Sequence, residues 1–104
     1  MIILEPLPNP DELMLTFDLH YSEARTLPDG TSLITLDKFP FDVINVAKLP
    51  CWQQRELKLI VRRSTVIEHC SIFVTPTHFL MRDSERWLYS FRKNVLHKAH
   101  RRTK

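Results

Sequence analysis

A period of two residues runs through positions 13 to 20, and this pattern restricts the fold more than any other in the chain. The odd-numbered positions from Leu13 to Leu19 are all apolar, while most even-numbered positions are polar. Successive side chains of a β-strand point to opposite faces, so the pattern places four apolar side chains on one face. It predicts a strand over residues 12–21, with Leu15 and Phe17 in the core.

The following segments predict a hairpin and then a short helix. Leu27 to Thr31 contains Pro28, which presets φ, and the chain's one glycine, Gly30, which readily adopts a positive φ. This composition predicts a turn, with a returning strand over residues 31–36. Over residues 43–49 the apolar spacing favours a helix that ends before the next proline, although the β-branched content leaves a strand as the alternative.

Two further segments rich in β-branched residues are predicted as strands, at residues 56–63 and 65–75. In this interpretation a tight turn near Arg63 and Ser64 joins them. Pro76 has no N–H to donate to a neighbouring strand, so we expect it to end the second one.

The last segment has two interpretations. In the first, Asp83 or Ser84 caps a helix, because the apolar side chains that follow recur at helical spacing and acidic residues precede basic ones along it. In the second, residues 79–82 and 86–91 form a hairpin, and only a short helix follows. We favour the first helix, whose apolar positions are Trp87, Leu88, Phe91, Val95 and Ala99.

These elements predict an α+β domain of antiparallel strands in the order β-β-α-β-β-α. Its final element is a basic C-terminal helix. Prolines at every second position of residues 6–10 mark residues 1–11 as an arm, since proline fixes φ and removes a hydrogen-bond donor. Residues 12–97 form the domain itself, and residues 98–104 form a basic tail.

Size and composition limit the functions that the chain can have. A chain of 104 residues is the size of one domain and is too small for a two-domain enzyme. It has no apolar run long enough to cross a bilayer and no pattern of a secretory leader. Two cysteines, Cys51 and Cys70, are too few for a disulfide framework. These features predict a soluble, cytoplasmic protein with reduced thiols.

Catalytic and metal-binding patterns are weak. Two groups of residues have the chemistry to cleave RNA: Asp18 with His20, and His69 with Glu68 and Arg62. The chain resembles ribonuclease toxins in size and charge only. Because it lacks a phosphate-binding glycine loop and a nucleophile elbow, we predict that it is not an enzyme. We expect no cofactor and no metal, since no zinc-site spacing occurs among the candidate ligands. Those ligands are Cys51, His69, Cys70, His78, His97 and His100.

Charge is divided unevenly between the two halves of the chain. Residues 1–52 carry three basic and eight acidic residues, whereas residues 53–104 carry twelve basic and four acidic residues. The excess of basic residues in the second half gives a local positive potential. This potential attracts polyanions even though the net charge of the chain is only +3. The alternative is that the two halves attract each other within the fold or between subunits.

The basic half predicts a phosphate-binding surface. Lysine and arginine neutralise phosphates and release counterions, whereas the sequence contains no motif for reading bases. Helical periodicity assigns the aromatic side chains of the last segment to the core rather than to stacking on bases. The predicted nucleic-acid-binding residues are Arg62, Arg63, Arg86, Arg92, Lys93, Lys98, Arg101 and Arg102.

The sequence therefore predicts a small, non-enzymatic regulator of transcription that binds nucleic acid, DNA rather than RNA, as a homodimer and away from membranes. Its basic C-terminal segment contacts phosphates. The alternative is an adaptor or inhibitor, of the kind that phages and plasmids encode, that binds a protein through an unpaired strand edge or an aromatic anchor. Homodimerisation would use the same features.

Overall fold

The computed structural model describes residues 2–21 and 24–98, and every regular element in these ranges is a β-strand. No helix in the described ranges is long and apolar enough to cross a membrane. The strands are β1 (Ile2–Pro6), β2 (Leu13–Asp18), β3 (Arg25–Thr26), β4 (Ser32–Lys48), β5 (Glu56–Val74), β6 (His78–Arg82), β7 (Trp87–Arg92) and β8 (Val95–Lys98).

The long strand β5 is the centre of one antiparallel sheet. On one side it pairs with β4 along almost its whole length, from Val74 opposite Ser32 to Lys58 opposite Lys48. On its other side β2 pairs with the first half of β5, and β6 pairs with the second half. β1 extends the sheet beyond β2, β7 and β8 extend it beyond β6, and β3 pairs with the start of β4. The sheet therefore has two halves, which β4 and β5 join.

β4 and β5 bend between the two halves, and the buried side of β5 changes there. Its buried residues are odd-numbered as far as Ile67 and even-numbered from Cys70 onward. His69 lies at the change with a φ of 54°, a left-handed conformation that is uncommon for residues other than glycine. A bulge lies close by, where Ser64 to Val66 stand opposite Pro40 alone. Bulges bend a strand and increase its twist, so both halves turn their apolar faces toward one core.

Side chains from both halves form this core. Complete burial of one Leu, Val or Phe side chain contributes about 1.5 to 3 kcal/mol relative to leaving it in water. The largest fully buried side chains come from β2, β4, β5 and β6, and they are Phe17, Phe79, Leu15, Leu57, Leu59, Ile72, Met81, Val43, Val61, Val74 and Cys70.

A buried tyrosine connects the two halves directly. The Tyr89 hydroxyl in β7 accepts a hydrogen bond from the Val43 N–H in β4 at 3.2 Å and donates one to the Asp42 carboxylate. The Lys98 ammonium in β8 lies 3.3 Å from the same carboxylate. These contacts hold β7 and β8 against the middle of β4, so the sheet curves back on itself.

The predicted α+β class is wrong, because the described residues contain strands only and the order β-β-α-β-β-α does not occur. The helix predicted over residues 43–49 is instead the end of β4, where Val43 and Val46 are buried. β-branched side chains suit a pleated surface, and β5 supplies the hydrogen-bond partners that a strand needs. The turn predicted near Arg63 and Ser64 is also wrong, because β5 continues through both residues.

The predicted basic C-terminal helix is wrong as well, and the hairpin alternative is the one that forms. β6 and β7 pair around a turn at residues 83–86, and β8 stands where that alternative places a short helix. Leu88 is an extra residue in β7 and forms a bulge opposite β6. Leu88 and its neighbour Tyr89 are both buried, so the period of two is lost and the apolar spacing imitates that of a helix.

Parts of the other predictions for the first half of the chain are confirmed. β2 covers residues 13–18 of the predicted strand, and Leu15 and Phe17 are buried. The predicted turn joins β3 to β4, and Gly30 has a φ of 91° there. The hairpin itself differs from the prediction, because β4 pairs with the short β3 and with β5, while the predicted partner strand, β2, pairs with β1 and β5. The arm contains a strand that the prolines gave no reason to expect, because Ile2–Pro6 pairs with β2 as the edge strand β1.

Candidate nucleic-acid interface

The half of the sheet that contains β3 and β6 to β8 exposes one broad face, which we term the outer face. Residues directly opposite each other on paired strands share a face. One row of such residues crosses six strands, and its neighbours along the strands, such as Val74 and Phe79, are buried. The row therefore lies on the solvent side and consists of Arg25, Leu33, Phe73, Leu80, Ser90 and His97. The rows beside it add Thr35, Ser71, Arg82, Trp87, His78, Arg92 and Val95.

Trp87 is the most exposed aromatic side chain of the outer face, with 46 % of its surface accessible. Its position depends on the bulge at Leu88, because regular alternation from the buried Tyr89 would turn it toward the core. The Phe73 ring lies 5.7 Å from the Trp87 ring, and the guanidinium carbon of Arg82 lies 5.0 Å from the centre of the Trp87 ring. The three side chains form one contiguous aromatic and cationic group.

The outer face is electropositive. Arg25, Arg82 and Arg92 lie on it together with two histidines, and none of the residues in its rows is acidic. The salt bridges of Asp18 with His20, of Lys48 with Glu56 and of Lys98 with Asp42 lie elsewhere. Positive charge concentrated on one face attracts anions from solution.

A cleft of about 430 Å³ opens at one end of the outer face, and we term it the basic cleft. It lies where the turn between β7 and β8 meets the turn before β6, and the Lys93 N–H donates a hydrogen bond to the Thr77 carbonyl there. The Thr77 hydroxyl lies 2.7 Å from Nδ1 of His78. A concave site lined by cations and a hydroxyl group fits a phosphate. Its lining residues are Thr77, His78, Arg92, Lys93, Val95 and His97.

The structure brings some of the predicted nucleic-acid-binding residues together and separates others. Arg92 and Lys93 share the basic cleft. Arg62 and Arg63 lie on the exposed part of β5 near its bend, where they line a different hollow beside Asp11. The carboxylate there lowers the local positive potential, so these two arginines attract phosphate less strongly than the basic cleft does.

Arg86 and Lys98 lie apart from both groups. Arg86 occupies the turn between β6 and β7, where its N–H donates to the Asp83 carboxylate at 2.9 Å. Lys98 is held by its ion pair with Asp42 at the rim of the core. The remaining predicted residues lie outside the described part of the chain, and they are Arg101 and Arg102.

Sequence reasoning missed the aromatic part of the outer face. It assigned the aromatic residues of the last segment to the core, which is correct for Tyr89 and Phe91 but wrong for Trp87. Phe73 and the two histidines of the outer face, His78 and His97, were not among the predicted nucleic-acid-binding residues either. The hairpin alternative carried the necessary signal, since it places Arg82 opposite the start of β7.

The candidate catalytic and metal-binding residues do not converge in the ranges that the structure describes. Nδ1 of His20 lies 3.7 Å from a carboxylate oxygen of Asp18, and His20 is exposed while Asp18 is half-buried. No three His, Cys, Asp or Glu side chains of these ranges are grouped in a way that holds a metal ion. Both cysteines are free, and burial raises the pKa of the Cys70 thiol to about 12.

The outer face thus joins an exposed aromatic group, three arginines and the basic cleft on one surface. This combination follows from the strand pairing described above. No family model, no curated protein and no solved structure matches the chain.

Proposed function

We propose that the protein is a non-enzymatic, cytoplasmic regulator that binds single-stranded nucleic acid on its outer face. The observation that carries this proposal is the half-exposed Trp87, which contacts Phe73 and Arg82 on a face without acidic residues. Proteins that bind single strands combine aromatic stacking platforms with a positively charged surface. Bases of a single strand are free to stack in this way, whereas those of a duplex are already stacked on each other.

The size of the outer face suits a short stretch of nucleic acid. Six strands separated by about 4.8 Å each give a row about 24 Å long. Such a length corresponds to the lower end of the roughly 4 to 16 nucleotides that single β-barrel domains of the OB type bind. Bases stack on Trp87 and Phe73 at one part of the row, and phosphates bind to Arg92 and Lys93 in the basic cleft.

Fluorescence anisotropy with labelled single strands of about 12 nucleotides tests the proposal, because that length exceeds the smaller sites. Trp87→Ala should weaken binding about 5- to 150-fold, since stacking contributes about 1 to 3 kcal/mol per base. Trp52→Ala is the matched control, because Trp52 is 88 % exposed and lies outside the outer face. It should leave the affinity unchanged.

The salt dependence tests the contribution of the basic cleft separately. Replacing Arg92 or Lys93 with alanine should reduce the slope of log affinity against log salt by about 0.7 for each phosphate contact to a single strand. Removal of residues 99–104 tests the basic tail in the same way. No binding to any single strand at low salt would contradict the proposal, and so would a preference for duplex that Trp87→Ala does not alter.

A second observation favours self-association through β1. This edge strand pairs only with β2 among the described residues, and Ile2, Ile3 and Leu4 are 48 %, 44 % and 41 % exposed. An unpaired edge with apolar side chains readily adds another strand. We propose that β1 of a second copy pairs with it to form a homodimer.

Sedimentation at tens of micromolar protein measures the mass of the particle directly. Ile3→Lys should convert a dimer to a monomer, because it places a charge at the proposed interface. A mass near 12.4 kDa for the unchanged protein would exclude the homodimer. If the protein is a monomer and also fails to bind nucleic acid, a different protein becomes the expected partner of this edge.

A further inference from the structure

A second cleft, of about 240 Å³, lies at the end of the core and is separate from the outer face. Its floor is apolar, because Leu19 and Val74 are 5 % and 1 % exposed. Trp52 stands at its rim with 88 % of its surface accessible, and the aromatic ring contacts among the described residues do not include it. We term this space the Arg55 cleft, after the charged residue in its wall.

The guanidinium of Arg55 has few partners in the cleft. Its one hydrogen bond to a described side chain goes to the Ser32 hydroxyl, and it is long, at 3.4 Å. None of the salt bridges among residues 2–21 and 24–98 includes Arg55. A guanidinium has five N–H donors in a planar fork, and it matches the two oxygens of a carboxylate or phosphate group. Arg55 is half-buried and lines the cleft, so its guanidinium is partly shielded from bulk water.

The loop that carries Arg55 is held in place by several contacts. The Arg55 N–H donates to the Cys51 carbonyl at 2.9 Å, and its carbonyl accepts from the Leu19 N–H at 3.0 Å. The Lys48 ammonium also bonds to Gln54 in the same loop. Arg55 itself has a φ of 50°, a conformation that costs energy for a residue with a side chain and that often occurs at binding sites. The cleft is therefore formed before any ligand arrives.

From these features we infer that the Arg55 cleft binds a small organic anion. Arg55 holds the carboxylate or phosphate group, and a flat apolar body lies between the floor of Leu19 and Val74 and the ring of Trp52. An apolar cavity of about 150 Å³ is large enough for benzene, so a volume of about 240 Å³ accommodates one ring with its anionic group. The site acts independently of the outer face and does not rest on the proposed nucleic-acid binding.

Benzoate is a suitable probe, with benzamide as its uncharged counterpart of equal shape. In Trp87→Phe protein, Trp52 is the remaining tryptophan, so its fluorescence reports on the Arg55 cleft alone. Benzoate should change this fluorescence in a saturable manner with a Kd of about 1 mM, whereas benzamide should not. Benzoate should also slow the alkylation of Cys51 by N-ethylmaleimide several-fold, because Cys51 lines the same cleft.

Arg55→Gln should abolish both effects, and Arg86→Gln, at an exposed turn, is the matched control that should preserve them. Arg55→Gly removes the same charge while suiting the positive φ, so its melting temperature should stay near that of the parent protein and separate lost binding from lost folding. The inference is overturned if benzoate has no effect, if benzamide acts equally, or if the effects persist without Arg55. Inorganic phosphate that binds as tightly as benzoate would show that the apolar floor and Trp52 do not contribute.

Discussion

Replacing Tyr89 with phenylalanine should weaken the connection between the two halves of the sheet without changing the packing of the core. The ring remains, and only the hydroxyl is removed. This hydroxyl accepts a hydrogen bond from the Val43 N–H and donates one to the Asp42 carboxylate. Tyr89 is 4 % exposed and Val43 is fully buried, so water has little access to the N–H that loses its partner.

Two contributions determine the size of the effect. A hydrogen bond to a charged group contributes about 1.5 to 3 kcal/mol, and a buried N–H left without a partner costs about 1 to 3 kcal/mol. Asp42 keeps its ion pair with Lys98 and remains in contact with solvent, so the lower parts of both ranges apply. Their sum is about 2.5 to 4 kcal/mol. In a domain of this size, each kcal/mol lost from the free energy of unfolding lowers the melting temperature by about 4 to 8 °C. The melting temperature of the Tyr89→Phe protein should therefore fall by at least about 10 °C.

Urea and thermal denaturation followed by circular dichroism measure this loss. Tyr21→Phe is the matched control, because Tyr21 is 75 % exposed. Removing an exposed hydroxyl should change the free energy of unfolding by less than about 0.5 kcal/mol. A Tyr89→Phe protein that melts within about 2 °C of the parent would refute the reasoning. It would mean that the two halves of the sheet are held together by the core alone.

Four further predictions concern the core, a turn and the two thiols. Phe17→Ala should lower the free energy of unfolding by about 3 to 5 kcal/mol, because Phe17 is fully buried; an unchanged urea midpoint would contradict its position in the core. Gly30→Ala should cost about 1 to 2 kcal/mol, since φ is 91° and no atom lies within 4 Å of the added methyl group; a neutral substitution would mean that the turn changes conformation. A hydrogen bond from the Gln54 N–H lowers the pKa of the exposed Cys51 thiol, so one thiol should react in native protein and two in denatured protein. Burial raises the pKa of Cys70 from 9.0 to about 12, so the native state keeps a proton that the unfolded state releases. The free energy of unfolding should therefore fall as the pH rises from 9.0 toward 12, and Cys70→Ala should remove this part of the decrease.

Some of the candidate site was accessible to sequence reasoning, and some was not. Arg92 and Lys93 follow from the concentration of basic residues in the second half of the chain, because charge composition is a property of the sequence. Arg62 and Arg63 belong to the same basic half, yet the fold places them beside Asp11 and away from the basic cleft. Charge counts along the chain contain no information about which carboxylate will be a neighbour in space.

Local patterns determined β2 and the turn before β4. Residues 13–18 form β2 as predicted, and Gly30 forms the predicted turn, because each depends on side-chain alternation or on the φ of one residue. The long strands β4 and β5 depend on each other over 13 matched pairs of residues, and no local preference reveals such a partner.

Only the tertiary structure decided what the last segment does. Its apolar residues suit a helix by spacing, but pairing with β6 gives their backbone groups hydrogen-bond partners in a sheet. The bulge at Leu88 then buries Leu88 and Tyr89 together and turns Trp87 outward, next to Phe73 of β5. A one-residue insertion in a strand reverses the faces of the residues beyond it. The sequence therefore determined which aromatic and basic residues are present, while strand pairing and a single bulge decided which of them reach the solvent.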